Sequence, residues 1–191
     1  MRPNTKVLQE SASQTAGPYV HIGLAPRAAG VDIYAQEMGW DIAGPHAEGE
    51  RIRIEGIVWD GDGAPVKDVL LEVWQANAAG HYAHTGAEVE EGFRGWGRVI
   101  SEFDTGEWGF DTVKPGRVGA EAPHLHFWLV ARGINIGLHT RMYFSDEANG
   151  GDPGLGMSGD AARAETLIAQ RGDGPVYRFE IHLQGDAETV F

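Results

Sequence analysis

Polar and apolar residues alternate regularly in the chain from residue 51 onward. The alternation is strict over residues 51–55 and continues through Gly56 into residues 57–59. Because successive side chains of a strand point to opposite faces of a sheet, this pattern predicts a β-strand with one buried face. Further apolar or alternating segments predict strands at residues 69–74, 99–103, 108–113, 125–131, 140–144 and 176–183. The chain is therefore expected to hold about seven or eight strands.

Turn sequences separate these segments at short, regular intervals. Residues 60–63 read Asp-Gly-Asp-Gly, residues 104–106 read Asp-Thr-Gly, and residues 114–116 read Lys-Pro-Gly. This spacing is typical of an antiparallel β-sandwich or barrel. We therefore predict a mainly β fold, an antiparallel β-sandwich with an irregular N-terminal arm and one short helix in its C-terminal region.

That helix is predicted over residues 161–170. Asp160 is a suitable N-cap, the following residues are mostly good helix formers, and Gly172 suits the C-terminal stop.

Residues 1–50 carry repeated proline and glycine and no strand pattern. We divide the chain into this arm and a sandwich domain at residues 51–191. An arm of this kind forms no core of its own, so it packs on its own domain, packs on a partner, or stays mobile. Within it, Gly17-Pro18 places a tight backbone between Thr15 and Tyr19. This piece is either an anchored turn or the wall of a pocket.

Composition narrows the possible functions. The 191 residues include no cysteine, which excludes disulfides and thiolate metal sites. The net charge of −13 opposes phosphate backbones, so nucleic acid is not an expected partner. The first residues lack the apolar core of a signal peptide, and no apolar run reaches the length of a membrane span. We expect a protein of the cytoplasm without membrane contact.

His124 and His126 are the first candidates for chemistry. They lie two residues apart on a predicted strand and therefore share a face, which is a common geometry for Zn, Cu or Fe ligands. The pair can equally be a hydrogen-bonded structural pair. A metal site needs at least one more ligand, and His139, His81 and His84 are candidates by residue type alone.

Several motifs together resemble the intradiol ring-cleavage dioxygenases. They occupy residues 54–82, 104–116, 122–127 and 142–144, and residues 13–25 extend the likeness into the arm. The resemblance implies a β-sandwich enzyme in which two tyrosines and two histidines hold Fe(3+). The iron binds a catechol through both oxygens, and O2 opens the ring between the hydroxylated carbons.

The expected tyrosine ligands are missing from this chain. In iron-binding members one tyrosine follows the Lys-Pro-Gly turn, but residues 117–123 contain none, and neither do residues 83–97. Tyr82 matches the position of an aromatic residue that is not a ligand. By this resemblance His124 and His126 are vestigial ligand positions, and the chain itself binds no metal and holds no catalytic residue.

Residues 131–136, residues 184–191 and the arm are similar to the non-iron-binding α-type chain found in heteromeric members of the family. The resemblance then implies a β subunit as partner, with Fe(3+) bound by that subunit. It further implies intradiol cleavage of protocatechuate (3,4-dihydroxybenzoate) by O2 to 3-carboxy-cis,cis-muconate.

The resemblance also implies the substrate-binding residues. Thr15, Gly17, Pro18 and Tyr19 would line the substrate cavity, and Arg132 would direct its charge at the substrate carboxylate. An arginine fork can bind a carboxylate through two parallel hydrogen bonds. The alternatives are a surface or interface salt bridge for Arg132 and a packed interface aromatic for Tyr19.

Two other functions stay open at this point. One is a self-sufficient metalloenzyme that uses His124, His126 and a third ligand such as His139. The other is a β-sandwich binding or interaction module without a catalytic role.

Overall fold

The computed structural model describes residues 9–84 and 89–191. Within these residues the chain forms nine strands and three short helices. The strands are β1 (Arg51–Trp59), β2 (Leu70–Gln75), β3 (Trp96–Ile100), β4 (Glu107–Val113), β5 (His124–Val130), β6 (Leu138–Phe144), β7 (Ile168–Arg171), β8 (Val176–Arg178) and β9 (Ile181–His182). The helices are α1 (Pro18–Leu24), α2 (Pro153–Gly156) and α3 (Ala161–Glu165). The prediction of a mainly β fold is confirmed.

The strands run in the order β3-β2-β5-β6-β7-β8-β1-β4, and β9 also pairs with β1. Strands β3, β2, β5 and β6 form one layer, strands β8, β1 and β4 form the other, and β7 pairs with both layers. The prediction of purely antiparallel pairing needs one correction. The pairs β6–β7, β1–β8 and β1–β9 are parallel, because the C-terminal strands return along existing strands rather than by hairpins.

The core lies between the two layers and follows the alternation of the sequence. Phe127 of β5 lies at its centre, with its ring within 6.2 Å of the rings of Trp108, Phe110 and Phe179. Leu125 and Leu129 flank it on the same strand and are fully buried. One face of β5 therefore belongs to the core, and the intervening residues point the other way.

The predicted helix at residues 161–170 is correct only in its first half. Asp160 does cap α3, and its carboxylate accepts a hydrogen bond from the Ala162 amide at 2.9 Å. The helix stops at Glu165, and β7 begins three residues later. Two-sided pairing of β7 with β6 and β8 overrides the local helix propensity.

Two strand predictions change in extent. The strand expected at residues 99–103 lies at Trp96–Ile100, where Trp96 pairs with Trp74 of β2. The strand expected at residues 176–183 is divided into β8 and β9.

The arm is less irregular than predicted, because residues 18–24 form helix α1. Gly17 is its N-cap and Pro18 its first residue, a position where proline is favoured. Further along, the Ile42 carbonyl accepts a hydrogen bond from the Gly95 amide at 2.8 Å, and Ala43 packs with Phe93 in a small second core. The later part of the arm is thus packed on the sandwich. No helix among the described residues is long and apolar enough to span a bilayer.

A buried carboxylate fixes the loop after β6. Asp152 is 4% exposed and accepts hydrogen bonds from the amides of Ala122 (2.6 Å) and Leu155 (2.9 Å) and from the Tyr143 hydroxyl (3.0 Å). Burial alone would raise the pKa of Asp152, but these donors outweigh it and hold the pKa below its usual value. The ionised carboxylate therefore ties this loop to the start of β5.

We expect Asp152→Asn to lower the free energy of unfolding by about 2–3 kcal/mol at pH 7, because the new amide group turns a donor toward a backbone N–H. The wild-type contribution is present above the unfolded-state pKa near 3.9 and is lost as the pH falls through the lower folded-state pKa. The difference between the two proteins should therefore shrink below about pH 4.

Urea unfolding across this pH range measures both effects. Asp160→Asn is the matched control, since asparagine caps a helix as well as aspartate. A difference between wild type and Asp152→Asn that does not depend on pH would contradict the assignment.

Candidate functional site

The two histidines predicted to share a face meet a third side chain, that of Tyr82. The Nε2 atoms of His124 and His126 lie 3.1 Å apart, and the Tyr82 hydroxyl lies 3.2 Å from each of them. The three polar atoms form a nearly equilateral triangle. The sequence predicts Tyr82 to be an aromatic residue that is not a metal ligand and gives no sign of its contact with both histidines.

A tight turn after β2 brings Tyr82 to this position. The Asn77 side-chain oxygen accepts hydrogen bonds from the amides of Ala79 (3.1 Å) and His81 (2.9 Å), which folds the chain back on itself. Gly80 lies in this turn at φ +84°, and a Cβ there would lie 1.9 Å from the Arg117 carbonyl oxygen. The Asn-x-x-Gly spacing was the signal in the sequence that could have placed Tyr82 near the next strands.

Hydrogen bonds and burial set the protonation of the triangle. The Nδ1 atom of His124 lies 2.8 Å from the Ala122 carbonyl oxygen, which can only accept, so Nδ1 carries the proton and Nε2 is an acceptor in the neutral ring. Burial, with a contribution from His124, lowers the pKa of His126 to about 4. Burial and the nearby Glu121 charge raise the pKa of the Tyr82 phenol. At neutral pH His126 and Tyr82 are therefore neutral.

Charged groups surround the triangle. The Arg141 guanidinium donates to Glu121 at 2.8 Å and to the Tyr143 hydroxyl at 3.3 Å. Tyr143 in turn donates to Asp152, as described above. A second phenol is therefore close to the pair, with its ring centroid 5.6 Å from that of His124, but its oxygen is already bound to a cation and a carboxylate.

These residues do not fit a ferric ion of the kind that the sequence resemblance implies. A trivalent ion needs anionic oxygen donors, and the resemblance calls for two tyrosinates. Here Tyr82 is the one phenol within hydrogen-bond distance of the pair among the described residues, and the Tyr143 hydroxyl is engaged by Arg141 and Asp152. In the described part of the chain, no three His, Asp or Glu residues are grouped so that they could bind a metal, so His139 does not complete a site.

A separate cavity of about 990 Å³ lies beyond the opposite end of β5. Three of the residues expected to contact substrate line it, namely Gly17, Pro18 and Arg132. Asp68 and His21 line it as well, and neither was singled out by the sequence.

Arg132 lies on a type II turn that follows β5. The Ile134 amide donates to the Ala131 carbonyl oxygen at 3.2 Å, and Gly133 occupies the third position of the turn at φ +92°, where glycine is favoured. Thr15 fastens this turn from outside. Its hydroxyl oxygen accepts from the Gly133 amide at 2.6 Å and lies 3.2 Å from the Ala131 carbonyl. The arm is thus attached directly to the turn that carries Arg132.

The Arg132 side chain extends from the turn and forms one ion pair. Its Nε donates to the Asp68 carboxylate at 3.0 Å, and the Arg132 side chain is 74% exposed. His21 lies behind this pair with its ring edge against Phe103, and burial lowers the pKa of its imidazole. The salt-bridge alternative for Arg132 is therefore present in the structure, alongside its position in the cavity wall.

Tyr19 does not line this cavity. Its side chain is 85% exposed on α1, so within the described chain it has solvent on most of its surface. The sequence-predicted residues thus separate into three kinds. Gly17, Pro18 and Arg132 line the cavity, Thr15 holds the Arg132 turn, and Tyr19 projects away.

The cavity and the histidine pair are far apart. Arg132 follows His126 by six residues. The four steps from His126 to Val130 run along β5 and span roughly 13 Å at about 3.3 Å per residue, and the chain then enters the turn that carries Arg132. This span is far longer than a single aromatic ring with a carboxylate. A molecule held by Arg132 therefore cannot reach the Tyr82–His124–His126 triangle of the same chain.

Comparisons with known proteins agree with this architecture. A family model described as Dioxygenase matches residues 32–185. The protocatechuate 3,4-dioxygenase alpha chain of Pseudomonas putida is 50% identical over 196 residues, covering 97% of each chain. The protocatechuate 3,4-dioxygenase beta chain of Burkholderia cepacia is 36% identical to this chain, and the match covers 74% of this chain and 67% of that protein.

A solved intradiol ring-cleavage dioxygenase from Tetranychus urticae has the same fold, with a TM-score of 0.59 at 14% identity, covering 82% of this chain and 93% of that one. The match along nearly the whole length to a relative of 50% identity settles the family: the chain belongs to the intradiol ring-cleavage dioxygenases.

Proposed function

We propose that this chain is the non-iron-binding α subunit of a heteromeric protocatechuate 3,4-dioxygenase. The reaction joins both atoms of O2 to the two hydroxylated ring carbons of 3,4-dihydroxybenzoate, breaks the bond between those carbons, and yields 3-carboxy-cis,cis-muconate. The single observation that carries the proposal is the separation of the cavity at Arg132 from the histidine pair. A substrate bound in this cavity needs a reactive centre from another chain.

The partner in this proposal is a homologous β chain that holds Fe(3+). The iron, when bound there, takes both catechol oxygens and prepares the ring for O2. The absence of two tyrosinates from this chain supports the assignment, as does its likeness to both alpha and beta chains. The lack of cysteine is compatible with the reducing cytoplasm, where we place the complex.

The role of this chain is to bind and orient the substrate. Gly17 and Pro18 form a wall of the cavity, and Arg132 presents a cation to the substrate carboxylate. Thr15 fixes the turn that carries Arg132. Tyr19 is exposed on α1 outside this cavity, and in this proposal it contacts the partner chain, through which it borders the substrate pocket.

The arm also provides the surface for the partner. Of the thirteen large apolar side chains that are exposed among the described residues, eight fall in residues 19–40. They are Tyr19, Ile22, Leu24, Val31, Ile33, Tyr34, Met38 and Trp40. Exposed apolar residues concentrated in one segment mark an interaction surface, and this surface adjoins α1 and the cavity.

We expect the purified chain alone to contain substoichiometric iron and to show no visible absorption band. The complex with its β chain should contain iron and absorb in the visible through tyrosinate-to-iron charge transfer. Metal analysis and absorption spectra of both preparations make the measurement. Tyr82→Phe in this chain should leave the iron content of the complex unchanged. One iron per chain in the lone polypeptide would contradict the proposal.

We expect Arg132→Ala to raise the KM of the assembled enzyme for protocatechuate by about 10- to 150-fold, the value of a lost charged hydrogen bond. The KM for catechol, which has no carboxylate, should change less than about twofold. Steady-state kinetics with both substrates measures the two KM values. Arg178→Ala, which removes an exposed arginine of β8 paired with Glu180 outside the arm, is the control. Equal effects of Arg132→Ala on both substrates would assign Arg132 a structural role.

We expect the double variant Ile33→Ser and Tyr34→Ser to weaken association with the β chain by about tenfold or more, because both side chains are more than half exposed and apolar. Titration of one chain with the other, followed by light scattering, measures the affinity. Met157→Ser is the matched control, since Met157 is 87% exposed outside the arm. An unchanged affinity of the double variant would remove this segment from the interface.

A further inference from the structure

We propose that Asp68 is a positioning residue for substrate selection: it binds one edge of the Arg132 guanidinium and so directs the other edge toward the carboxylate of an aromatic acid. This inference rests on the proposed function, in which Arg132 binds that carboxylate. It adds a residue that neither the sequence motifs nor the likeness to known dioxygenases singled out.

The first support is the geometry of the ion pair. Asp68 accepts a hydrogen bond from Nε of Arg132 at 3.0 Å. Across residues 9–84 and 89–191, the two Nη groups of Arg132 donate no hydrogen bond. A guanidinium has five N–H donors in a fixed plane, so a carboxylate can bind the two Nη groups while Nε stays with Asp68. The pair therefore leaves the double-donor edge free.

The second support is the difference in mobility of the two partners. The Asp68 side chain is 21% exposed, whereas that of Arg132 is 74% exposed. A long exposed arginine samples many rotamers, and fixing it costs conformational entropy on binding. The shorter and more buried aspartate is the natural anchor of the two. Contact with it reduces the number of Arg132 conformations before the substrate arrives.

The third support is the sheet register, which sets the two residues side by side. Asp68 lies in the turn just before β2, and Arg132 lies in the turn just after β5. These strands are antiparallel neighbours in which Leu70 pairs with Val130. Residues that precede Leu70 therefore lie beside residues that follow Val130. The pairing of the strands holds both turns at one edge of the cavity.

Asp68 also has an opposing effect, because its negative charge partly cancels the attraction of Arg132 for an anion. Two substitutions separate the effects. Asp68→Asn keeps an oxygen that can accept from Nε and removes the charge, whereas Asp68→Ala removes both. Lys67 lines the same cavity as a second cation, so the test needs a double variant that isolates Arg132.

The experiment uses the assembled enzyme and two substrates of the same shape, 3,4-dihydroxybenzoate and its neutral amide, 3,4-dihydroxybenzamide. We expect Asp68→Ala to raise the KM for the acid about three- to tenfold and to change that for the amide less than about twofold. Asp68→Asn should restore the KM for the acid to within about twofold of wild type or below it. When Arg132→Ala is already present, Asp68→Ala should no longer raise the KM for the acid.

Asp111→Ala is the matched control. The Asp111 side chain is 78% exposed, and its carboxylate is paired with Arg53. An unchanged KM for the acid in Asp68→Ala would overturn the inference. An equal rise in the KM for the acid and the amide would also overturn it, because that result marks a structural role. An equal fall in the KM for the acid in Asp68→Ala and Asp68→Asn would overturn it as well, because that result marks an effect of charge alone. If Arg132→Ala does not distinguish acid from amide, the proposed role of Arg132 fails first. If it does and Asp68→Ala does not, only the role of Asp68 fails.

Discussion

Strand β5 is the element on which both the core and the candidate sites depend. Its alternation sends Leu125, Phe127 and Leu129 into the core, where the phenyl ring of Phe127 joins the two layers. The same alternation places His126 on the other face and leaves Arg132 beyond the strand end. Because an extended strand rises about 3.3 Å per residue, the fold that buries Phe127 also keeps the histidine pair and the cavity apart.

The histidine site is built largely from groups that burial keeps neutral. Burial removes solvent from Tyr82 and His126, and each group then prefers its neutral form. The charge in this region is carried by Arg141 and Glu121, which pair with each other at 2.8 Å. The polar atoms of the triangle satisfy one another through hydrogen bonds. The site therefore retains the outline of a ligand set, and its polar atoms contact one another.

The sequence predicts the sandwich well because its strands are amphipathic, and alternation is a local property. Residues 51–59 are an example, since every second residue of β1 from Ile52 to Val58 is buried. The sequence fails where pairing partners decide the structure. Residues 168–171 have good helix propensity but form β7, because their backbone pairs with β6 on one side and with β8 on the other. Helix α1 was missed although Gly17-Pro18 carried a start signal.

The same distinction applies to the sites. His124 and His126 could be placed together because they are two residues apart on one strand. For Tyr82 the turn at Asn77 and Gly80 is a local signal that the chain folds back. The contact of Tyr82 with His124 spans 42 residues of sequence, and the turn alone does not predict it. Asp68 was missed for a related reason. Its partner Arg132 lies 64 residues away, and only the register of β2 against β5 brings the two turns together.

A division of labour between homologous chains follows from these constraints. A chain that loses its anionic iron ligands no longer needs open coordination positions, so its histidines can settle into hydrogen bonds with a neutral phenol. Its strand ends and arm remain exposed at the other end of the sandwich, where they can complete a partner's pocket. In the proposed function, substrate selection by such a chain depends on the orientation of a cation rather than on metal binding. In this chain the cation is Arg132, and the register of β2 against β5 and the Thr15 anchor hold it beside Asp68.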